Sequence, residues 1–171
     1  MVKSEPQSLV LVALAAVLVW LGGFGVRPQA ASNPGQQGPC SVTSQTVTIG
    51  GSLETQVYLP AGQQCSGAFA APYPGVVFAH GFSMFGLSNG ASENAGNAEH
   101  LASWGLVVAL PRLPDDAEDR TDGVQRALAY LETQTRTEGS FLYGKVDAGR
   151  LAVAGYSLGG ADILRRAMGK K

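Results

Sequence analysis

RLAVAGYSLGGADILRRAM, residues 150–168, reads as a strand, a sharp turn and a helix in immediate succession. Leu151 to Ala154 is an apolar run of strand length, and Ala161 to Met168 has helical character. Between them stands Gly155-Tyr156-Ser157-Leu158-Gly159-Gly160. A Gly-x-Ser-x-Gly pattern at such a junction puts the serine on a strained turn that lifts its hydroxyl clear of the sheet. Small flanking residues let strand and helix approach. Ser157 is therefore the candidate nucleophile, against the plainer reading of a serine placed in a tight turn for its size. In this arrangement the acid and the base of a triad follow the serine in chain order. Residues 158–171 contain one acid, Asp162, and no histidine. Asp162 stands five residues into the next helix, poorly placed to orient a base.

The 171 residues fit one domain with room for a sizeable core. A hydrophobic fraction of 45% and a charged fraction of 15% describe a globular chain. The net charge of −1 and the absence of any basic run argue against a nucleic-acid partner. Two histidines, widely separated, give no metal-ligand pattern, and no cofactor motif is present.

Leu9 to Val26 is almost continuously apolar, preceded by Lys3 and followed by Arg27 and a Pro/Gly/Gln-rich stretch. That order describes a secretory signal peptide over residues 1–31, with cleavage expected near Ala30 or Ala31. An uncleaved membrane anchor is the alternative, and only then would a membrane be a partner. Residues 32–41 read as a linker and 42–171 as the folded domain. Export agrees with Cys40 and Cys65. Val42–Ile49 and Leu53–Leu59 alternate in polarity about Gly50-Gly51-Ser52, a β-hairpin signal. Antiparallel pairing brings the two cysteines to the same open end. A disulfide there would close about 26 residues and contribute about 3–4 kcal/mol in the chain-entropy model. Two unrelated buried thiols are the other reading.

From Pro72 the chain alternates strand and helix. Strands are expected at Gly75–Ala79, Leu106–Leu110 and Leu151–Ala154, with helices at Ser92–Trp104 and about Thr121–Arg136. Asp115–Arg120 reads as acidic and irregular, and 139–149 as a loop. Parallel strands need such helical crossovers, which cover both faces of the sheet.

A serine hydroxyl needs a base, and its attack needs donors for the oxyanion it creates. One donor is the N–H after the nucleophile, here Leu158; the second comes from the loop after the third strand. That loop begins His80-Gly81-Phe82, so Phe82 N–H is the expected second donor. His80, Asp115 and Ser157 would satisfy a histidine–acid–serine order, but the βα pattern speaks against it. A His-Gly at this strand end is expected to shape the oxyanion turn instead. His100, in a helix among apolar neighbours, is read as a packing or surface residue. Phe82, Met84, Phe85 and Leu87 form either an apolar acyl- or aromatic-binding surface or a loop tucked into the core. Tyr156 is expected to pack beside the nucleophile.

YPGVVFAHGFSM (73–84), HLASWGLVVALPRL (100–113) and YGKVDAGRLAVAGYSLGGAD (143–162) together resemble secreted bacterial esterases of the α/β-hydrolase superfamily. The His-Gly-Phe turn is similar to chlorophyllase-like members. Tyr143 to Asp147 is similar to the cutinase-like, polyester-hydrolase-like members. The resemblance implies the N-terminal part of an α/β-hydrolase fold: a β-hairpin followed by parallel βαβαβα, helices on both faces. It implies a serine carboxylic-ester hydrolase acting on a small-molecule or polymeric ester, without cofactor. Ser157 would be the nucleophile, Phe82 and Leu158 the oxyanion donors, and Met84, Phe85 and Tyr156 part of the substrate surface. It also implies a later Asp and His, so a C-terminally truncated domain is expected, with Leu151–Ala154 left at an open sheet edge. A non-catalytic exported binding protein is the alternative, and a thioesterase or peptidase the runner-up within the fold.

Overall fold

The computed structural model describes residues 33–82 and 90–167. The apolar N-terminal segment, Met84, Phe85 and Leu87 lie outside the described residues. The fold is α/β: a five-stranded mixed sheet with helices on both faces. Its strands are β1 (Ser41–Ile49), β2 (Leu53–Ala61), β3 (Tyr73–Ala79), β4 (Val107–Pro111) and β5 (Val146–Gly155). The helices are α1 (Gln63–Ala68), α2 (Gly90–Glu93), α3 (Ala95–Ser103), α4 (Ala117–Gln134) and α5 (Leu158–Ala167).

The hairpin forms as the alternation requires, with Ile49 opposite Leu53 and Gly50 and Gly51 both at positive φ in the turn. Pairing carries Ser41 opposite Ala61, and Cys40 and Cys65 are joined by a disulfide, their Cα atoms 4.2 Å apart. Cys65 sits on α1, a single short helix that strand alternation did not signal.

Strand order across the sheet is β1-β2-β4-β3-β5, antiparallel up to β4 and parallel from β4 through β3 to β5. Successive side chains of a strand face opposite sides, and β3 and β4 use both. Val77, Ala79, Val107 and Ala109 join Val124, Ala127 and Leu131 of α4 in one apolar cluster. Phe78, Val108 and Leu110 join Ala98 and Ala102 of α3 in the other. The βαβ alternation therefore produces a sheet covered on both faces. β5 is an edge of this sheet among the described residues, and Ala152 is exposed there.

Four local expectations change. The acidic stretch is ordered: α4 begins at Ala117, because the Asp116 carboxylate accepts the N–H groups of Glu118 (2.9 Å) and Asp119 (3.2 Å). That N-cap satisfies orphan donors, and two acids in the first turn suit the helix dipole. The helix expected at 92–104 is divided at Asn94, whose buried side chain donates to the Gly90 carbonyl at 2.8 Å. Gly105, at φ +83°, ends the chain's helical path there, as expected. β5 starts at Val146 within the expected loop, since Tyr73 pairs with Val146 before the register slips. Residues 34–40 are hydrogen-bonded along α3: Trp104 Nε1 donates to Gln36 O at 3.0 Å, Gly38 N–H to Ser103 Oγ at 2.9 Å.

Candidate active site

The junction of β5 and α5 has the geometry its sequence demands. Ser157 has φ +55°, and it is the one non-glycine residue at positive φ among the described residues. Such a conformation costs an L-residue about 1–3 kcal/mol and persists only where the surroundings impose it. The surroundings here are backbone. Tyr156 N–H donates to Ala79 O at 3.1 Å, fastening the turn to the end of β3. The Ser157 carbonyl accepts from Gly160 N–H at 3.0 Å and Ala161 N–H at 3.3 Å, opening α5. Both motif glycines are needed for space. A Cβ on Gly155 would stand 2.6 Å from the Gly159 carbonyl carbon, and one on Gly159 would strike the Ala79 carbonyl. Ser157 itself is exposed.

The second wall is His80-Gly81-Phe82 at the end of β3. Gly81 is buried, and a Cβ on it would lie 3.2 Å from Ser157 Cβ. The turn thus lies directly against the serine. Among the described residues neither Phe82 N–H nor Leu158 N–H donates to a protein acceptor. The aromatic rings of Phe82 and Tyr156 are exposed, by 54% and 67%. Tyr156, next to Ser157 in the chain, presents its ring to solvent.

His80 is 2% exposed. Its Nε2 is 3.0 Å from Leu113 N and its Nδ1 2.7 Å from Gly81 O. A backbone N–H only donates and a carbonyl only accepts, so Nε2 bears the lone pair and Nδ1 the proton. The ring is committed to the turn. Asp115 is exposed on the loop before α4. His100 is half-buried on α3, its Nε2 donating to Pro34 O at 2.8 Å. Asp162 lies in α5.

Sequence reasoning missed Arg120. Its side chain is fully buried, donating from Nη1 to Pro114 O at 2.9 Å and from Nη2 to the His80 carbonyl. Once Asp116 is recognised as an N-cap, Arg120 falls one turn later, facing inward with Val124 and Ala127; that was the available signal. A groove of about 460 Å³, lined by Ser52, Arg112, Asp122 and Arg126 among others, sits at the β1–β2 turn and the start of α4. It includes no residue of the elbow or of the β3 turn. Among the described residues no cluster of three or more His, Cys, Asp or Glu could hold a metal, and no helix is long and apolar enough to cross a membrane.

A mixed sheet ending in a strand–serine–helix elbow, with a His-Gly-Phe turn against the serine, defines an α/β-hydrolase-type protein. A family model described as PET hydrolase-like matches residues 23–171, and the chain belongs to that family. Among curated proteins it is similar to a bis(hydroxyethyl) terephthalate hydrolase of Streptomyces coelicolor (strain ATCC BAA-471 / A3(2) / M145). Identity is 33% over 180 aligned positions, covering 92% of this chain and 52% of that protein. The chain thus spans about half the length of this relative. Of the two resemblances drawn from the sequence, the polyester-hydrolase-like one is the family found.

Proposed function

We propose that this chain carries the nucleophile and oxyanion site of an exported serine hydrolase acting on aromatic carboxylic esters. The observation that carries the reading is Ser157 held at positive φ, exposed, with the Gly81–Phe82 turn against it. Strain retained at one exposed hydroxyl has a use in nucleophilic attack and none in packing.

In the proposed reaction Ser157 Oγ adds to the ester carbonyl carbon while a base takes its proton. The oxyanion is met by the free N–H groups of Phe82 and Leu158. Collapse expels the alcohol, which takes up that proton, and leaves an acyl-serine. Water then adds to the acyl carbon by the same route, releasing the acid and restoring Ser157. His80 is committed to the β3 turn and His100 to Pro34 O, so the base in this reading is neither. The exposed rings of Phe82, in the turn against Ser157, and of Tyr156, its chain neighbour, favour an aromatic acyl group, which offset stacking would hold. The relative's name, with its terephthalate diester, points to the same class. Export is supported by the Cys40–Cys65 disulfide, which fits an oxidising compartment.

The test is turnover of bis(hydroxyethyl) terephthalate by the 171-residue chain, with the monoester separated by chromatography, against Ser157→Ala. Product that depends on Ser157 supports the reading. Equal rates from both proteins would remove Ser157 as a working nucleophile. Saturable binding of the diester by both, without turnover, would favour an exported binding module.

A further inference from the structure

We propose that His80 and Arg120 form a buried clamp that fixes the direction of the Phe82 N–H, making both positioning residues for the oxyanion site. This deepens, and rests on, the assignment of Phe82 as an oxyanion donor.

The Gly81 carbonyl and the Phe82 N–H are two ends of one peptide unit. In a planar trans peptide they point in opposite directions. The Gly81 carbonyl is held at 2.7 Å by His80 Nδ1, so the N–H at the other end is aimed away from the imidazole. A rotation of this peptide would present a carbonyl where a donor is needed, repelling an oxyanion instead of binding it. Gly81 lies against Ser157, so the peptide is close enough for that difference to matter.

The direction of the proton is set from the far side of the ring. Leu113 N–H donates to Nε2 at 3.0 Å, which obliges Nδ1 to donate to Gly81 O. Leu113 N–H, the imidazole, the Gly81 carbonyl and the Phe82 N–H therefore form one head-to-tail chain. Hydrogen bonds aligned this way polarise one another, and the last N–H becomes a stronger donor. A protonated ring would put two donors face to face at Nε2 and break the chain.

Arg120 holds the frame. Its buried guanidinium joins the His80 carbonyl to the Pro114 carbonyl, tying the β3 turn to the loop that also supplies Leu113. A planar, always-charged fork satisfies both at fixed spacing, which a lysine does not reproduce. The imidazole also rests on Gly90, where a Cβ would strike its Nδ1 and crowd its Cε1. The clamp thereby grips the start of α2 as well as the turn after β3.

The experiment has two arms on the full chain. Nitrogen NMR of His80, labelled in the ring, is expected to show the proton on Nδ1. A proton on Nε2 overturns the clamp whatever the catalytic outcome. In the second arm, turnover of a p-nitrophenyl ester is compared for wild type, His80→Phe, His80→Asn and Arg120→Lys. His80→Phe is expected to lower kcat about 10- to 100-fold, the scale of a misplaced or lost oxyanion donor, with KM within about twofold. His80→Asn, whose amide can reach the Gly81 carbonyl from the Nδ1 position, is expected to restore at least about fivefold of that loss. A His80→Phe kcat near wild type, or Phe and Asn variants alike, overturns the positioning role. Should His80→Phe not fold, Arg120→Lys makes the same comparison, an unchanged kcat being the overturning result. If wild type and Ser157→Ala react equally, the functional reading fails, and the ring spectrum alone decides the clamp.

Discussion

The Asp147 carboxylate grips Arg150 at 2.6 Å at the point where β5 slips its register against β3. Pro74 pairs with Asp147 and Gly75 with Leu151, leaving Ala148, Gly149 and Arg150 without partners on β3. The other Asp147 oxygen accepts Gly149 N–H at 2.9 Å, and Arg150 Nη2 reaches back to Pro72 O at 3.1 Å. The Arg150 hydrogen bond, then that of Gly149, hold the Asp147 carboxyl below its ordinary 3.8. A group with a depressed folded-state pKa stabilises the fold above its unfolded value and loses that contribution as pH falls through the folded one. Asp147→Asn is therefore expected to lower Tm slightly near neutrality, and the difference should shrink below about pH 3.8. Tm measured from pH 7 down to 3 checks this; a difference that stays constant would contradict it. The effect is small because the pair lies at the surface, where water screens it.

Gly159→Ala is expected to destabilise the chain by about 1–3 kcal/mol, the usual cost of forcing an extra methyl into packed structure. The obstacle is the Ala79 backbone, which has no rotamer to yield. Urea unfolding of the variant measures it. Gly51→Ala makes a useful contrast, since no atom lies within 4 Å of that Cβ position and only the positive φ opposes it.

Asp116→Ala removes the cap of α4 and leaves the Glu118 and Asp119 N–H groups to water. The expected loss is about 1 kcal/mol. Asp116→Asn or Asp116→Ser should recover most of it, which separates capping from a general charge effect. Urea midpoints of the three variants give the comparison.

Reduction of the Cys40–Cys65 bridge, or the double change to serine, is expected to cost about 3–4 kcal/mol of stability through the loop it closes. Urea midpoints with and without reductant test this directly. An unchanged midpoint would mean that the strand pairing of β1 already does the work alone.

What the sequence determined by itself is local and punctuated. Gly50-Gly51 between alternating runs defines the hairpin, and apolar runs spaced by helical segments define the βαβ order. Gly155, Ser157 and Gly159 define the elbow, because the demand for small residues and positive φ is written in the motif. Export and the disulfide follow from the same kind of local reading, as expectations. The tertiary structure alone decided the rest. That β4 lies between β2 and β3, that β5 slips by the residues Asp147 and Arg150 bracket, and that His80 gives its proton to Gly81 all depend on partners distant in sequence. Arg120 closes a stretch that reads in the sequence as acidic and irregular. It is buried because the Asp116 cap sets the phase of α4, and two backbone carbonyls from separate loops converge on its guanidinium. No periodicity records such a meeting of unsatisfied acceptors; only packing creates it.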